Sequence, residues 1–401
     1  MIPFSPPRMD QKIIDEVVDT LKSGWITTGP KVKKFEERLT KYAGHKATLC
    51  TSSGSAGLEL LLRWFGVEEG DEVILPAYTY TATANVIVHC GAKPVFVDVK
   101  RDFNISVKAI EKAITDRTKV IMPVDIAGFP CDYDEINALV KRKDITGKFN
   151  PKTKEQEMLG RILVLSDAAH SLGALYKGEK TGKLTDITVY SFHAVKNLTT
   201  AEGGAVCLNL PENFDNEAIY KYLRIKSLHG QTKDAFTKTK AGAWKYDVIE
   251  PGYKFNMTDI AAAMGLVEIE RYDDDMLVKR KHIFDRYAKA FSNFDWAELP
   301  EYETELKKSS YHVFLLRIKN ISENQRDEII QKITERGVSV NVHFIPLPMM
   351  TYYRSLGNDI AKFPVSYDNF SRVISLPVYY DLTDEQVETV VNAVVGSYDV
   401  V

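Results

Sequence analysis

Over its first 250 residues the chain alternates short apolar runs with stretches of helical spacing. "ATLCT" (47–51) has the make-up of a strand and leads through "SSGSAG" into the helical run "LELLLRWFG". "DEVILP" (71–76) precedes a helix from about Thr79 to Cys90, and "KPVFVDV" (93–99) precedes the helical spacing of "SVKAIEKAI". "TKVIMPVDI" (118–126) and "RILVLSDAA" (161–169) read as strands buried on both faces. Strands joined through helices pair in parallel, and a parallel sheet needs both faces covered. The alternation therefore predicts an α/β domain around a mostly parallel central sheet. "ITVYSFH" and "GGAVCLNL" follow without helices of comparable length, which predicts that they pair antiparallel.

The pattern changes near Asn256. Residues 256–291 read as one or two long helices with Thr258 as N-cap. "SYHVFLLRI" alternates like a strand, "RDEIIQKITERG" reads as a helix and "VSVNVHFIP" as another strand. "LTDEQVETVVNAVVGSY" closes the chain as a helix capped at Thr383. Two domains follow, 1–250 and a smaller α+β unit at 251–401, as a length of 401 residues leads one to expect. The polar, charged segment 140–160 reads as a solvated insertion between strands, with a basic partner surface as the alternative.

Charge and cysteine usage remove several classes of function. With 52 basic and 55 acidic side chains the net charge is -3, so no general basic field favours nucleic acid or an anionic membrane. No apolar run approaches the roughly 18 residues needed to span a bilayer. The start, "MIPFSPPRMDQK", lacks the apolar core of a signal peptide, so a cytoplasmic location is expected. Cys50, Cys90, Cys131 and Cys207 sit in or beside apolar runs and form no C-x-x-C pair. Buried free thiols are expected, and no metal site is.

The groups that carry chemistry lie at the strand ends. In "SSGSAG" small residues let a ligand approach the backbone, and the first helical turn behind them offers outward N–H groups and a positive dipole end. Ser53, Ser55 and the Ala56 N–H suit a phosphate, or simply a strand–helix turn; the Lys-Ser/Thr pair of a P-loop is missing. Asp167 ends the apolar strand "RILVLSD", where α/β sheets bind ligands, and a carboxylate there needs a partner to stay charged. It reads as a counter-ion for a cationic ring nitrogen or as an N-cap. Lys196, in "SFHAVKNLTTAEGG", stands in a segment whose few charges suit a buried turn better than a solvated loop, with an ordinary surface lysine as the alternative. Burial there would depress its pKa, as an amine nucleophile requires. With Tyr80 in "AYTYTATAN", these are the parts needed to hold pyridoxal 5′-phosphate: a phosphate cradle, a ring neighbour, a partner for the ring nitrogen and an amine for the aldehyde.

These segments resemble the fold-type I, pyridoxal-phosphate-dependent sugar aminotransferases of the DegT/StrS type. The likeness runs through "WITTGPKVKKFEERL", "GDEVILPAYTYTATANVI", "SDAAHSLGA", "SFHAVKNLTTAEGGAV", "PGYKFNMTDIAAAMGL", "HFIPLP" and "ISLPVYYDLTDEQV". Within the family the chain looks most like the branch that makes UDP-4-amino-4-deoxy-arabinose. The resemblance implies an aspartate-aminotransferase-like α/β fold, with Lys196 as the Schiff-base lysine and Asp167 paired to the pyridine nitrogen. It puts Tyr80 on the ring, Ser55, Ala56 and Ser191 at the phosphate, and His170 beside the phenolic oxygen. It also implies a homodimer with a shared site, in which an asparagine crosses to the partner's phosphate. That position here is Lys254, with Asn256 two residues later, and which of them crosses is open. Thr28, His193, His229 and His343 stand where the family lines its sugar-nucleotide cleft, and Lys238 and Lys240 offer cations for a diphosphate. The implied reaction takes an amino group from L-glutamate, releases 2-oxoglutarate, and passes the group through the pyridoxamine form to a keto carbon of a nucleotide-linked sugar. C4 and UDP are favoured through the branch resemblance alone, with amino-sugar or envelope polysaccharide synthesis as the setting.

Two rivals share the fold. The family's dehydratases typically replace the lysine with histidine, and some carry an iron–sulfur cluster. This chain keeps Lys196, and its cysteines are too dispersed for a cluster. A catalytically silent cofactor-binding regulator would tolerate loss of Lys196 or Asp167, and both are present.

Overall fold

The computed structural model describes residues 1–233 and 245–400. At its centre lies a sheet of seven strands: β1 Ala47–Thr51, β2 Glu72–Pro76, β3 Lys93–Val97, β4 Thr118–Ile121, β5 Leu163–Asp167, β6 Ile187–Ser191 and β7 Gly204–Leu208. Their spatial order is β1-β7-β6-β5-β4-β2-β3. Strands β3, β2, β4, β5 and β6 pair in parallel. Only β7 runs against its neighbours, with Tyr190 opposite Ala205 and Ser191 opposite Gly204. That is the antiparallel pair expected where the helices drop out. Strand β4 stops at Ile121, short of the apolar run 118–126, because Pro123 has no N–H to extend the ladder.

Helices cover the sheet because their apolar faces match its own. Gly54–Trp64 packs on β6 and β7, burying Leu58, Leu61 and Leu62, and Thr81–His89 packs on β2 and β3. Ser53 starts the first of these helices: its Oγ accepts the Ala56 N–H at 3.0 Å. The polar segment 140–160 is more than a solvated insertion. Lys141 to Asp144 are exposed, yet Ile145 and Phe149 join the main core. Gln156 is fully buried, accepts the Lys152 N–H at 2.9 Å and donates to the Phe65 carbonyl at 2.8 Å. Gln156→Leu would remove the acceptor of the Lys152 N–H and leave the Phe65 carbonyl with only the longer bond from the Thr153 hydroxyl, at 3.3 Å. It is expected to cost about 1–2 kcal/mol, read as a lower denaturant midpoint at unchanged slope.

Of the one or two helices expected over 256–291 there are two, Asp259–Glu270 and Leu277–Phe291, joined by a π-helical turn at Tyr272–Met276. Thr258 caps the first as expected, accepting the Ala261 N–H at 3.3 Å. The turn carries Asp275 to the Arg8 guanidinium at 2.7 Å and the Tyr380 hydroxyl at 2.7 Å. Arg8, 5 % exposed, also reaches both oxygens of Glu268 at 3.0 Å and lies 3.9 Å over the Tyr380 ring. This buried cluster pins the N-terminal segment across the molecule.

A second core is built on the antiparallel strands Phe314–Ile318 and Val373–Leu376, under helices Leu277–Phe291, Glu323–Glu335 and Asp384–Tyr398. Ser322 and Thr383 cap the last two with reciprocal capping boxes. The strand expected in "VSVNVHFIP" is absent. Val338 and Asn341 each make one bridge, to Ile2 and Ser375, and Asn341 then turns its side chain back to the Val342 N–H at 2.7 Å. Backbone that bonds its own side chain is lost to a ladder, and His343 and Phe344 instead enter a cavity.

All four cysteines are free and buried. Among the described residues no helix is long and apolar enough to cross a membrane, and no cluster of potential metal ligands occurs.

Candidate active site

The carboxyl ends of β5 and β6 and the amino end of helix Gly54–Trp64 open onto a cavity of about 310 Å³. Asp167, His170, Ser191, His193 and Lys196 line it, with Ser53, Gly54 and Ser55 from the helix start. Tyr80, Phe4, His312, His343 and Phe344 complete the wall. A crevice beyond the carboxyl ends of parallel strands is where such sheets hold ligands.

Asp167 is 7 % exposed and fully tied: Thr83 Oγ1 donates to one carboxylate oxygen at 2.8 Å, and the Ala169 N–H to the other at 3.2 Å. Burial pushes its pKa up, opposed by those two hydrogen bonds and then by the Lys196 charge. Burial pulls the Lys196 amine down to about 8, against the attraction of Asp167. Burial also holds His170 well below the usual imidazole range, helped by the Lys196 and His343 charges. Its Nδ1 accepts the Ala127 N–H at 3.3 Å, so in the neutral ring Nε2 carries the proton.

The helix start is shaped for close approach. A Cβ on Gly204 would fall 2.5 Å from the Gly54 nitrogen, and one on Gly54 would fall 3.2 Å from the Ser191 Cβ. Glycines therefore seat the turn directly on the ends of β6 and β7. The Ala56 N–H is already used by Ser53 Oγ, and Ala56 lies behind the wall. Gly54 and Ser55, with N–H groups in the first turn, line the cavity in its place.

Tyr80 sits at the rim, 60 % exposed, its ring 5.9 Å from that of Phe344. His343 lines the cavity, bonds Ser375 Oγ through Nδ1 at 3.0 Å, and is lowered to about 4, first by burial. His193 is half exposed on the wall, 3.7 Å from Glu202.

Four of the expected residues lie elsewhere on this chain. Thr28 donates to the Met257 carbonyl and receives the Asn256 amide at 2.7 Å, in a separate cleft. Lys254 is exposed and bridges Leu228 through its backbone. His229 is exposed, in a left-handed turn at φ 59. Lys238 and Lys240 fall outside the described residues. Thr83, Asn197, His312, Phe4 and Phe344 belong to the site or support it and were not read from the sequence. Thr83 alone had a local signal, four residues after Thr79 at the start of a helix beside the strand ends.

The donor set fits pyridoxal phosphate: a tied carboxylate, a buried low-pKa amine, an imidazole N–H and a backbone cradle share one wall. Comparison with known proteins agrees. Spr1654 of Streptococcus pneumoniae, described as a sugar aminotransferase and solved in its PMP form, superposes with a TM-score of 0.95 at 45% identity, over 100% of this chain and 99% of that one. Helicobacter pylori PseC, an aminotransferase of pseudoaminic acid biosynthesis, gives 0.87 at 28% identity over 100% of each chain. The spore coat polysaccharide biosynthesis protein SpsC of Bacillus subtilis is 35% identical over 398 residues, 98% of this chain and 96% of that one. This fold and site define a pyridoxal-phosphate-dependent sugar aminotransferase of fold type I. The chain belongs to the DegT/DnrJ/EryC1/StrS aminotransferase family, whose profile matches residues 7–147 and 154–395.

Proposed function

We propose that the protein moves an amino group from L-glutamate to the keto carbon, at C4, of a nucleotide-diphosphate-linked sugar. The convergence of Lys196, Asp167 and His170 on one buried cavity at the strand ends carries this reading. When bound, pyridoxal phosphate supplies an electron-withdrawing ring that stabilises negative charge on the substrate carbon. Asp167, as a carboxylate, would hold the proton on the ring nitrogen. Lys196 Nζ would hold the cofactor through its aldehyde carbon, and its amine, when free, would carry the proton taken from the substrate α-carbon. His170 Nε2–H would donate to the phenolic oxygen. Ser55, Ser191 and the Gly54 N–H meet the phosphate at the helix start.

Residues 1–250 form the cofactor-binding unit in this reading, and 251–401 the smaller one. The active species is a cytoplasmic homodimer. Thr28, His229, Lys254 and Asn256 lie away from this chain's own cavity, which suits residues presented to a partner's. His193, His343 and Lys240 serve the sugar nucleotide.

Adding glutamate to the pyridoxal phosphate form is expected to shift a band at about 410–430 nm towards roughly 330 nm. Subsequent addition of a UDP-linked 4-ketosugar should restore the first band, and TDP- and GDP-linked analogues less well. A band indifferent to glutamate would remove the donor assignment. The apoprotein offers a pH test. Only neutral Lys196 attacks, and its pKa is lowered to about 8. Covalent capture of added pyridoxal phosphate should therefore quicken as pH rises through 8 and level off above it. An ordinary lysine would go on gaining to beyond pH 10.

A further inference from the structure

We propose that Asn197 is a positioning residue and His312 a further binding residue of this cavity: Asn197 fixes the tautomer of His312 that presents a bare Nε2 acceptor to the ligand. The inference rests on the reading that this cavity holds the cofactor and substrate.

The hydrogen bonds decide the tautomer. Asn197 Nδ2 donates to the Ser310 carbonyl at 2.7 Å, and a carbonyl oxygen only accepts, so the amide has one allowed orientation. Its Oδ1 therefore faces His312 Nδ1, 2.7 Å away, and only a protonated Nδ1 satisfies that contact. His312 is buried, 6 % exposed, and held neutral by burial and by the nearby Lys196 and Arg280 cations. A neutral imidazole has one proton, so Nε2 keeps its lone pair. No described residue bonds Nε2, and the ring lines the cavity. The backbone is equally fixed: the His312 N–H donates to the Ala127 carbonyl at 3.2 Å and its carbonyl accepts from Arg280 at 2.6 Å.

The adjacent imidazole has the opposite sense. The His170 ring lies 4.3 Å from that of His312, and its Nδ1 is the acceptor of the Ala127 N–H, leaving Nε2–H as a donor. Donor and acceptor thus stand side by side. Such a pair suits a ligand edge in which an anionic oxygen neighbours an N–H group, as at the carbon that carries the nitrogen in transit. Asn197 directly follows Lys196, so the same amide ties the lysine's loop to the C-terminal part of the chain.

Two-bond proton–nitrogen spectra of protein labelled with ¹⁵N-histidine and free of pyridoxal phosphate test this, assigned by single His→Gln substitutions. The expected result is His312 protonated on Nδ1 and His170 on Nε2 across pH 7–8. Asn197→Leu should move the His312 proton to Nε2, whereas Asn197→Asp, which retains an acceptor, should leave it on Nδ1. With cofactor loaded, Asn197→Leu should slow the glutamate half-reaction about 10- to 100-fold, the scale of lost orienting partners, with little change in glutamate KM. His312 protonated on Nε2 in the unaltered protein overturns the proposal, as does a tautomer that ignores Asn197→Leu. A tautomer that moves while the half-reaction keeps its rate overturns it too. The tautomer is read without cofactor, so a wild-type protein that ignores glutamate would defeat the transaminase reading separately.

Discussion

Lys196→Ala is expected to lower the rate of the glutamate half-reaction by about 10⁴-fold, the upper end of what a positioned proton-transfer group contributes. In the proposed mechanism the change removes both the covalent attachment and the proton carrier. It should not unfold the protein, because the amine pays a desolvation cost that alanine does not: burial is the leading cause of its lowered pKa. Stopped-flow absorbance in excess glutamate, with thermal melts of the apoprotein as the folding control, separates the two effects. Added methylamine gives a further check, since a small amine that enters the cavity should recover part of the proton transfer. A rate within tenfold of the parent would remove Lys196 from the mechanism.

Asp167→Asn should have the second largest effect, a loss of about 10²- to 10³-fold in the same half-reaction. The side chain keeps its shape and its place beside Thr83 and Ala169, but no longer carries the charge that the proposed mechanism needs to hold a proton on a ring nitrogen. Stability should move the other way. Burial raises the Asp167 pKa, so the folded apoprotein holds this proton more tightly than the unfolded chain. As pH rises through the carboxylate range the charged form then counts against folding. Above that range Asp167→Asn removes the penalty, and the variant's apoprotein should melt no lower than the parent. Lower activity with equal or higher Tm is what a carboxylate kept for catalysis predicts. A fall in both would mark Asp167 as structural.

The parts of the site that were legible share one property. Asp167, Lys196, Ser55 and Ser191 each lie within a few residues of a strand end that apolar runs reveal, and strand ends of a parallel sheet converge at one edge. Residues that come from far along the chain left no such mark. His312 precedes a strand whose alternation says nothing about an imidazole reaching His170, and Phe4 lies in a segment pinned through Arg8 to Glu268. The turn at Gly29 is another case. Its N–H and those of Lys31 and Val32 are capped at 2.8, 3.0 and 2.9 Å by Asp259, so the cap could not be read locally, although Pro30 marks the helix start. "VSVNVHFIP" shows the converse: its β-branched residues promised a strand, and a cavity claimed the backbone instead.

Read alone, the sequence determined the mostly parallel sheet and its antiparallel pair, while the roles expected of Lys196 and Asp167 rest on the family resemblance. The sheet and its pair follow from periodicity and residue type, which act over a few neighbours. Only the tertiary structure decided the protonation of the site. Burial lowers Lys196 to about 8, and a carbonyl at Ser310 sets the Asn197 amide that sets the His312 proton. Desolvation and hydrogen-bond direction depend on atoms brought together from distant parts of the chain, and no local pattern encodes them.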